Sequence, residues 1–356
     1  MAPVGQLLII GFEGTEMTPR LSSVLTRVQP AGVVLFARNI RTAQQSWQLL
    51  RDCQKCVEQP LFTCIDLEGG TVDRLRDTLG PTPSAADVFA ARNRKLYRKH
   101  GQVMGENCRS LGFNVDFAPV LDLALPQSLK VMGSRAVSAD AGATIAYARE
   151  VLAGLAACKI LGCGKHFPGL GEGNLDSHHD LPVIEKSLKK LWAEDLLPYR
   201  SLRRQLPMVM VSHAAYPKVT KTAMPASLSK VWITDILRRR IGYRNLVLSD
   251  DLEMGGVLSA APVGEAAVQF IATGGDICLV CHHEDLVLQA FEALIAKARA
   301  DRKFEKRVGD ATKRILAFKK KWVKPARQTK SPTDAQVERL RRKLWEFGEQ
   351  VRLEQL

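Results

Sequence analysis

The stretch Leu246-Val-Leu-Ser-Asp-Asp-Leu-Glu-Met254 ends a hydrophobic run abruptly in two carboxylates, Asp250 and Asp251. A carboxylate at the end of a buried strand can attack an anomeric carbon and form a covalent glycosyl-enzyme. It can equally cap the helix that follows, and two adjacent acids allow both roles. A second stretch, Gly164-Lys-His-Phe-Pro-Gly-Leu-Gly-Glu-Gly-Asn-Leu-Asp-Ser-His-His-Asp180, brings Lys165 and His166 to a strand end. It then opens into a loop containing Gly169, Gly171 and Gly173, and carries Asp176, His178, His179 and Asp180. Three chemistries compete for that loop. Metal binding by its histidines and aspartates is one, although adjacent histidines rarely ligate one ion together. A phosphate cradle is the second, without a P-loop pattern or a helix start to support it. The third is an Asp–His dyad, in which a carboxylate fixes the imidazole tautomer and raises its basicity for proton delivery near neutral pH.

Two further stretches could hold a ligand. Cys64-Ile-Asp-Leu-Glu-Gly-Gly-Thr-Val-Asp-Arg74 places Asp66 and Glu68 ahead of a Gly-Gly pair suited to a tight turn, with Arg74 beyond it. Carboxylates there can accept hydrogen bonds from sugar hydroxyls; the competing role is an Asp66–Arg74 ion pair of structural use only. Val131-Met-Gly-Ser-Arg135 adds an arginine on a loop after Phe117-Ala-Pro-Val-Leu-Asp122.

These residues need a scaffold that brings them together. Short apolar runs at Leu7–Phe12, Gly32–Phe36, Leu61–Ile65, Asn114–Ala118, Ile160–His166, Met208–His213, Leu246–Ser249 and Ile277–Cys281 read as strands buried on both faces. Helix-period segments lie between most of them, for example Ala43–Val57, Ala141–Ala157 and Leu188–Leu202. Strands alternating with helices in this number predict a single-domain α/β fold, a (β/α)8 TIM barrel over residues 1–325, with a doubly wound sheet as the competitor. Asp66, Glu68, Asp122, Lys165, His166, His213, Asp250, Asp251 and His282 all fall at the C-terminal ends of these strands. In a barrel those ends share one mouth, which favours the barrel.

The rest of the chain bounds the function. Its 356 residues, 46% hydrophobic, are enough for one large core. The net charge of +14 could mark a nucleic-acid partner. The runs Arg238–Arg240 and Lys319–Lys321, however, sit late in helix-like segments and read as a solvated basic surface, so no nucleic acid is expected. No apolar run is long enough for membrane insertion, and Gln6–Phe12 is too short for a secretory signal, so a cytoplasmic location is expected. The eight cysteines then stay as thiols. The pairs Cys53/Cys56 and Cys278/Cys281 lie in a helical and a strand pattern and lack the short turn of a zinc site, so no metal or other cofactor is expected. Residues 326–356 form a polar linker and an amphipathic helix. Ser331 is its expected N-cap, Pro332 its N1 residue, and Val337, Leu340, Leu344, Phe347 and Val351 its apolar stripe. That stripe suits packing on the outside of a monomeric barrel; a dimer contact is the alternative.

Taken in order, Lys165-His-Phe-Pro-Gly169 followed by Asp176-Ser-His178, then Pro225-Ala-Ser-Leu-Ser229, then Ser249-Asp-Asp-Leu-Glu-Met254 resemble glycoside hydrolase family 3. The similarity is to its bacterial β-N-acetylglucosaminidase branch and runs from about Gly32 to about Lys319. Asp-Ser-His is the most specific element: the β-glucosidase branch lacks it and takes its acid/base carboxylate from a further domain, for which residues after 325 leave no room. The resemblance implies Asp250 as nucleophile, His178 as acid/base and Asp176 as its orienting partner. It implies Asp66, Arg74, Arg135, Lys165 and His166 as residues that hold N-acetylglucosamine. The implied substrate is a muropeptide fragment, N-acetylglucosamine linked to 1,6-anhydro-N-acetylmuramic acid with or without peptide, cleaved with retention during cell-wall recycling. A β-glucosidase, a glycoside phosphorylase and a non-catalytic sugar-binding relative are the alternatives. Leu67, Thr71 and Leu170 depart from the family pattern, which has Gln, Arg and His there.

Overall fold

The apolar runs form strands because side chains buried on both faces leave the backbone no partner except other strands. In the computed structural model, which describes residues 3–172, 181–323 and 330–356, these are β1 (Leu8–Ile10), β2 (Gly32–Leu35), β3 (Phe62–Ile65), β4 (Val115–Asp116), β5 (Leu161–Phe167), β6 (Met208–Val211), β7 (Leu246–Asp251) and β8 (Ile277–Val280). Each pairs in parallel with its neighbours in sequence, and β8 returns to β1 with Leu8 opposite Cys278 and Ile10 opposite Val280. The barrel is therefore closed, which leaves no strand edge open and excludes the doubly wound sheet.

The helices follow the sequence with local departures. Ala141–Ala157 forms as expected, with Asp140 accepting from the Ala143 N–H at its start. The segment expected over Leu188–Leu202 is two short helices, Leu188–Ala193 and Leu197–Leu202. Pro198 sits in the first turn of the second helix, where its missing N–H is tolerated. The C-terminal helix runs Asp334–Leu353 and buries all five residues of its stripe. It packs against the helices Arg94–Ser110, Arg76–Leu79 and Ala85–Ala90. Its cap is not Ser331 but Thr333, whose hydroxyl accepts from the Gln336 N–H while the Gln336 side chain returns to Thr333, so Pro332 precedes the helix.

The two basic runs are not wholly solvated. Asp276, at the start of β8, is fully buried and meets Arg238 at 2.5 Å, Arg314 at 2.5 Å and Arg307 at 3.3 Å. Lys319, only 2% exposed, donates to Gln6 Oε1 at 2.8 Å and lies 5.2 Å from the centre of the Phe62 ring. Helix periodicity turns the first residue of each run inward while its neighbours stay outside. Cys53 and Cys56 end the helix Ala43–Lys55, Cys278 belongs to β8 and Cys281 follows it; all are free thiols.

Candidate active site

The C-terminal ends of the strands surround a cavity of about 310 Å3. Asp66, Arg74, Arg135, Lys165, His166 and Asp250 all line it, together with Glu68, Asp251, Glu253 and His282. Six of the eight residues singled out from the sequence thus share one space. The other two, Asp176 and His178, lie outside the described residues.

One wall is a lattice of alternating charges. β3 ends at Asp66 and leads into a hairpin, Leu67–Gly69 against Val72–Asp73, that carries Glu68 inward. Gly69 has φ 84°, and a side chain there would place Cβ 2.1 Å from the Pro83 carbonyl oxygen, so the close turn requires glycine. Lys165 at the end of β5 donates to Asp66 at 2.6 Å and approaches Glu68 at 2.7 Å. Arg135 forks onto both Glu68 oxygens at 2.7 and 2.8 Å. Burial alone would push the Glu68 carboxyl up; Arg135 and Lys165 outweigh it and hold the group far below the usual carboxylate range. Burial likewise opposes the charge on Lys165, but Asp66 and Glu68 raise its pKa above that of an ordinary lysine. The expected alternative, an Asp66–Arg74 pair, does not form. Arg74 instead lies 5.5 Å from the centre of the Phe36 ring, and its buried Nε has no hydrogen-bond partner among the described residues.

His166 is fixed by Asp122, which is fully buried. Asp122 Oδ2 accepts from the His166 backbone N–H at 3.1 Å and meets Nδ1 at 2.7 Å, while Oδ1 accepts from the Leu170 N–H at 2.7 Å. The same carboxylate therefore sets a cavity side chain and the start of the glycine-rich stretch. Gly169, with φ 138°, passes so close to Asp195 that a Cβ would lie 2.8 Å from the Asp195 Cβ. Its carbonyl accepts from the Tyr216 hydroxyl at 2.7 Å. Leu170, one of the departures from the family pattern, presents an apolar side chain to the cavity.

Asp250 and Asp251 divide their roles. Asp251 Oδ1 accepts from the Glu253 N–H at 3.1 Å and the Cys281 N–H at 3.2 Å, and Oδ2 meets His282 Nε2 at 3.2 Å. It braces the mouth, and hydrogen bonding to Asp251 raises the His282 pKa. Asp250 faces the cavity, accepts from the Asp251 N–H at 2.9 Å and forms no salt bridge with any described residue. Burial opposes its charge, but His166, His213, the Asp251 N–H and Lys165 together bring its pKa below the ordinary aspartate value. At neutral pH it is an ionised carboxylate with no salt-bridge partner among the described residues, which suits a nucleophile.

His213 and His282 were placed at strand ends by the sequence, but their contacts were not evident from it. His213 is fully buried, and burial lowers its pKa. Its Nε2 donates to the Asp251 carbonyl at 2.8 Å, and its Nδ1 meets Ser227 Oγ at 2.7 Å. Through Ser227 and His213, Pro225–Ser229 is therefore tied to the end of β7, which carries Asp250. His282 stacks on Phe36 with ring centres 5.4 Å apart, and both line the cavity. The apolar position of Phe36 at the end of its run gave no hint of that use.

The sequence and architecture have counterparts among known proteins. The family model described as "Glycosyl hydrolase family 3 N terminal domain" matches residues 2–318. A "Beta-hexosaminidase" of Bordetella parapertussis is 36% identical over 297 residues, 81% of this chain and 83% of that protein. The solved glycoside hydrolase family 3 β-N-acetylglucosaminidase of Paenibacillus sp. str. FPU-7 superposes with a TM-score of 0.88 at 31% identity, covering 97% of this chain and 68% of that one. A β-N-acetylhexosaminidase of Beutenbergia cavernae superposes with a TM-score of 0.83 at 26% identity, covering 89% and 97%. With the family match spanning the whole barrel, this chain belongs to glycoside hydrolase family 3.

Proposed function

We propose that the chain is a retaining exo-β-N-acetylglucosaminidase with Asp250 as its nucleophile. The observation that carries this reading is the ionised Asp250 carboxylate, without a salt-bridge partner among the described residues, in a cavity also lined by a fixed lattice of donors and acceptors. At about 310 Å3 the space is at the small end of ligand sites, suited to one terminal sugar. The hexosaminidase names of the relatives support N-acetylglucosamine as that sugar.

In the first step an Asp250 oxygen attacks C1. The bond from C1 to the leaving oxygen breaks, and that oxygen takes a proton from the His178 imidazolium. Neutral His178 then accepts a proton from water as the water oxygen attacks C1, releasing Asp250 and the sugar with net retention. Asp176 orients and charges the imidazole. Asp66, Arg74, Arg135, Lys165 and His166 hold the sugar. A histidine acid suits the step because its donor form is cationic toward the leaving alkoxide and its base form is neutral toward water. Residues 1–325 serve as the catalytic barrel and 326–356 as a linker and bracing helix. The natural substrate we propose is the N-acetylglucosaminyl-1,6-anhydro-muropeptide of cell-wall turnover, cleaved by a monomer in the cytoplasm without metal or other cofactor. No described helix is long and apolar enough to cross a membrane.

The test is to trap the enzyme with a 5-fluoro N-acetylglucosaminyl donor, weigh it intact and map the labelled peptide. One added sugar on Asp250 is expected. A label on another residue refutes the assignment. Faster turnover of nitrophenyl β-glucoside than of nitrophenyl β-N-acetylglucosaminide would indicate a β-glucosidase, and dependence on phosphate a phosphorylase.

A further inference from the structure

The barrel's other end holds a second cavity, larger than the mouth at about 490 Å3. It is lined by residues at the N-terminal starts of the strands: Leu61 before β3, Asn114 before β4, Leu161 opening β5, Pro207 before β6 and Asn245 before β7. Phe113, Ile160, Phe318, Trp47 and Trp322 give it an apolar lining, with Arg51 5.4 Å from the centre of the Trp47 ring and Lys321 4.8 Å from that of Trp322. Trp322 is 52% exposed, a large apolar surface to leave in water.

The charge around it is one-sided. Arg51, Arg109, Lys159, Arg204 and Lys321 line the cavity, and no lining residue is an aspartate or glutamate. Several buried cations elsewhere have carboxylate partners: Asp276 collects three arginines, and Lys165 at the mouth meets two carboxylates. Arg109, Lys159 and Arg204, by contrast, have no carboxylate within salt-bridge distance among the described residues. The like charges of Arg109, Lys159, Arg204 and Lys321 around a low-dielectric hollow raise the potential there and concentrate anions. A neutral sugar would gain nothing from that field. A free inorganic anion would gain nothing from the apolar lining.

We propose that this cavity is a second ligand site, which takes a small amphiphilic anion: a flat or extended apolar body bearing a sulfonate, phosphate or carboxylate. The apolar body lies against Trp47 and Trp322, and the anionic group meets Arg109, Lys159 and Arg204. The site does not depend on the catalytic assignment, because the two cavities lie at opposite ends of the barrel.

The probe is 8-anilinonaphthalene-1-sulfonate, with the uncharged N-phenyl-1-naphthylamine as its contrast, each titrated by fluorescence. Saturable binding of the anionic probe at one site per chain is expected, unaffected by saturating N-acetylglucosamine. The triple variant Arg109→Gln/Lys159→Gln/Arg204→Gln should weaken it about tenfold, the sum expected of three exposed charge contacts. Nitrophenyl N-acetylglucosaminide turnover and the unfolding midpoint should stay at wild-type values, which shows the variant is folded. Trp322→Ala should weaken both probes, since both use the apolar wall. The proposal is overturned if the triple variant binds the sulfonate unchanged, if the neutral probe binds as tightly, or if N-acetylglucosamine displaces the sulfonate. Sedimentation with anionic phospholipid vesicles but no binding of the monomeric probe would also overturn it, in favour of a membrane-facing surface.

Discussion

Lys319→Met should stabilise the protein, and the gain should disappear as pH rises. Burial lowers the Lys319 pKa from 10.5 to about 7. At roughly 1.4 kcal/mol per unit, keeping its proton in the fold costs about 5 kcal/mol relative to water. The Met variant escapes that cost but leaves Gln6 Oε1 without its 2.8 Å donor, a loss of about 1–2 kcal/mol. It also loses the ammonium–Phe62 contact, on the order of 1 kcal/mol. Gln6 keeps its own bonds to the Gln29 and Pro30 carbonyls, so its side chain stays in place. The net expectation at pH 6.5 is a gain of about 2–3 kcal/mol. The sign of the pH dependence follows from proton counts. Between pH 7 and 10.5 the unfolded chain holds the lysine proton and the folded chain has released it, so wild-type stability rises with pH through this window. The wild type should therefore gain about 2 kcal/mol on the variant from pH 7 to 9. Urea unfolding of both proteins at several pH values measures this. Titration of the buried cysteines other than Cys64, whose pKa Lys319 lowers, affects both alike and cancels in the difference. Parallel stability curves, or a variant that is weaker at every pH, would refute the argument.

Other predictions concern the mouth and the barrel's lower end. Asp250→Ala should lower kcat on nitrophenyl N-acetylglucosaminide by several orders of magnitude with the fold intact by circular dichroism. Because the Asp250 pKa lies below the ordinary aspartate value, its ionised form persists to lower pH than usual. The acid limb of kcat/KM assigned to it should accordingly fall below that of an unperturbed carboxylate. His178→Ala should slow poor leaving groups far more than activated aryl ones; equal losses in a leaving-group series would exclude it as the acid. Glu68→Gln leaves Arg135 without its charged fork partner and Lys165 with only Asp66, so KM should rise and the unfolding free energy fall by about 3 kcal/mol. Asp276→Ala strands three arginines and should cost about 3–5 kcal/mol in urea unfolding with kcat/KM preserved.

The barrel was legible because each strand is a local apolar run, and the helices between follow local periodicity. Pro198 broke one expected helix through a local rule that the longer period had hidden. The mouth was legible as a set, since strand ends in a barrel converge whatever the loops do. Its pairings were not. Asp66 could reach Arg74 or Lys165, and only the three-dimensional register decides for the partner 99 positions away. The same holds for His213 with Ser227 and for Asp122, whose hold on both His166 and Leu170 depends on two strands meeting. Lys319 shows the reverse error: a run of like charges suggests solvent, yet one member of the run faces the core.

The salt links around Glu68 have a consequence for selectivity. Lys165 and Arg135 enter the mouth already compensated, so they present spare hydrogens but little net field. A hydroxyl or amide can join such a lattice by sharing lone pairs and protons that remain open. A bound anion would have to compete with resident carboxylates for cations it cannot displace without stranding them. Under the proposed function, the first sugar is therefore selected for its pattern of neutral donors and acceptors, and the acidic groups of the proposed longer substrate lie beyond the rim.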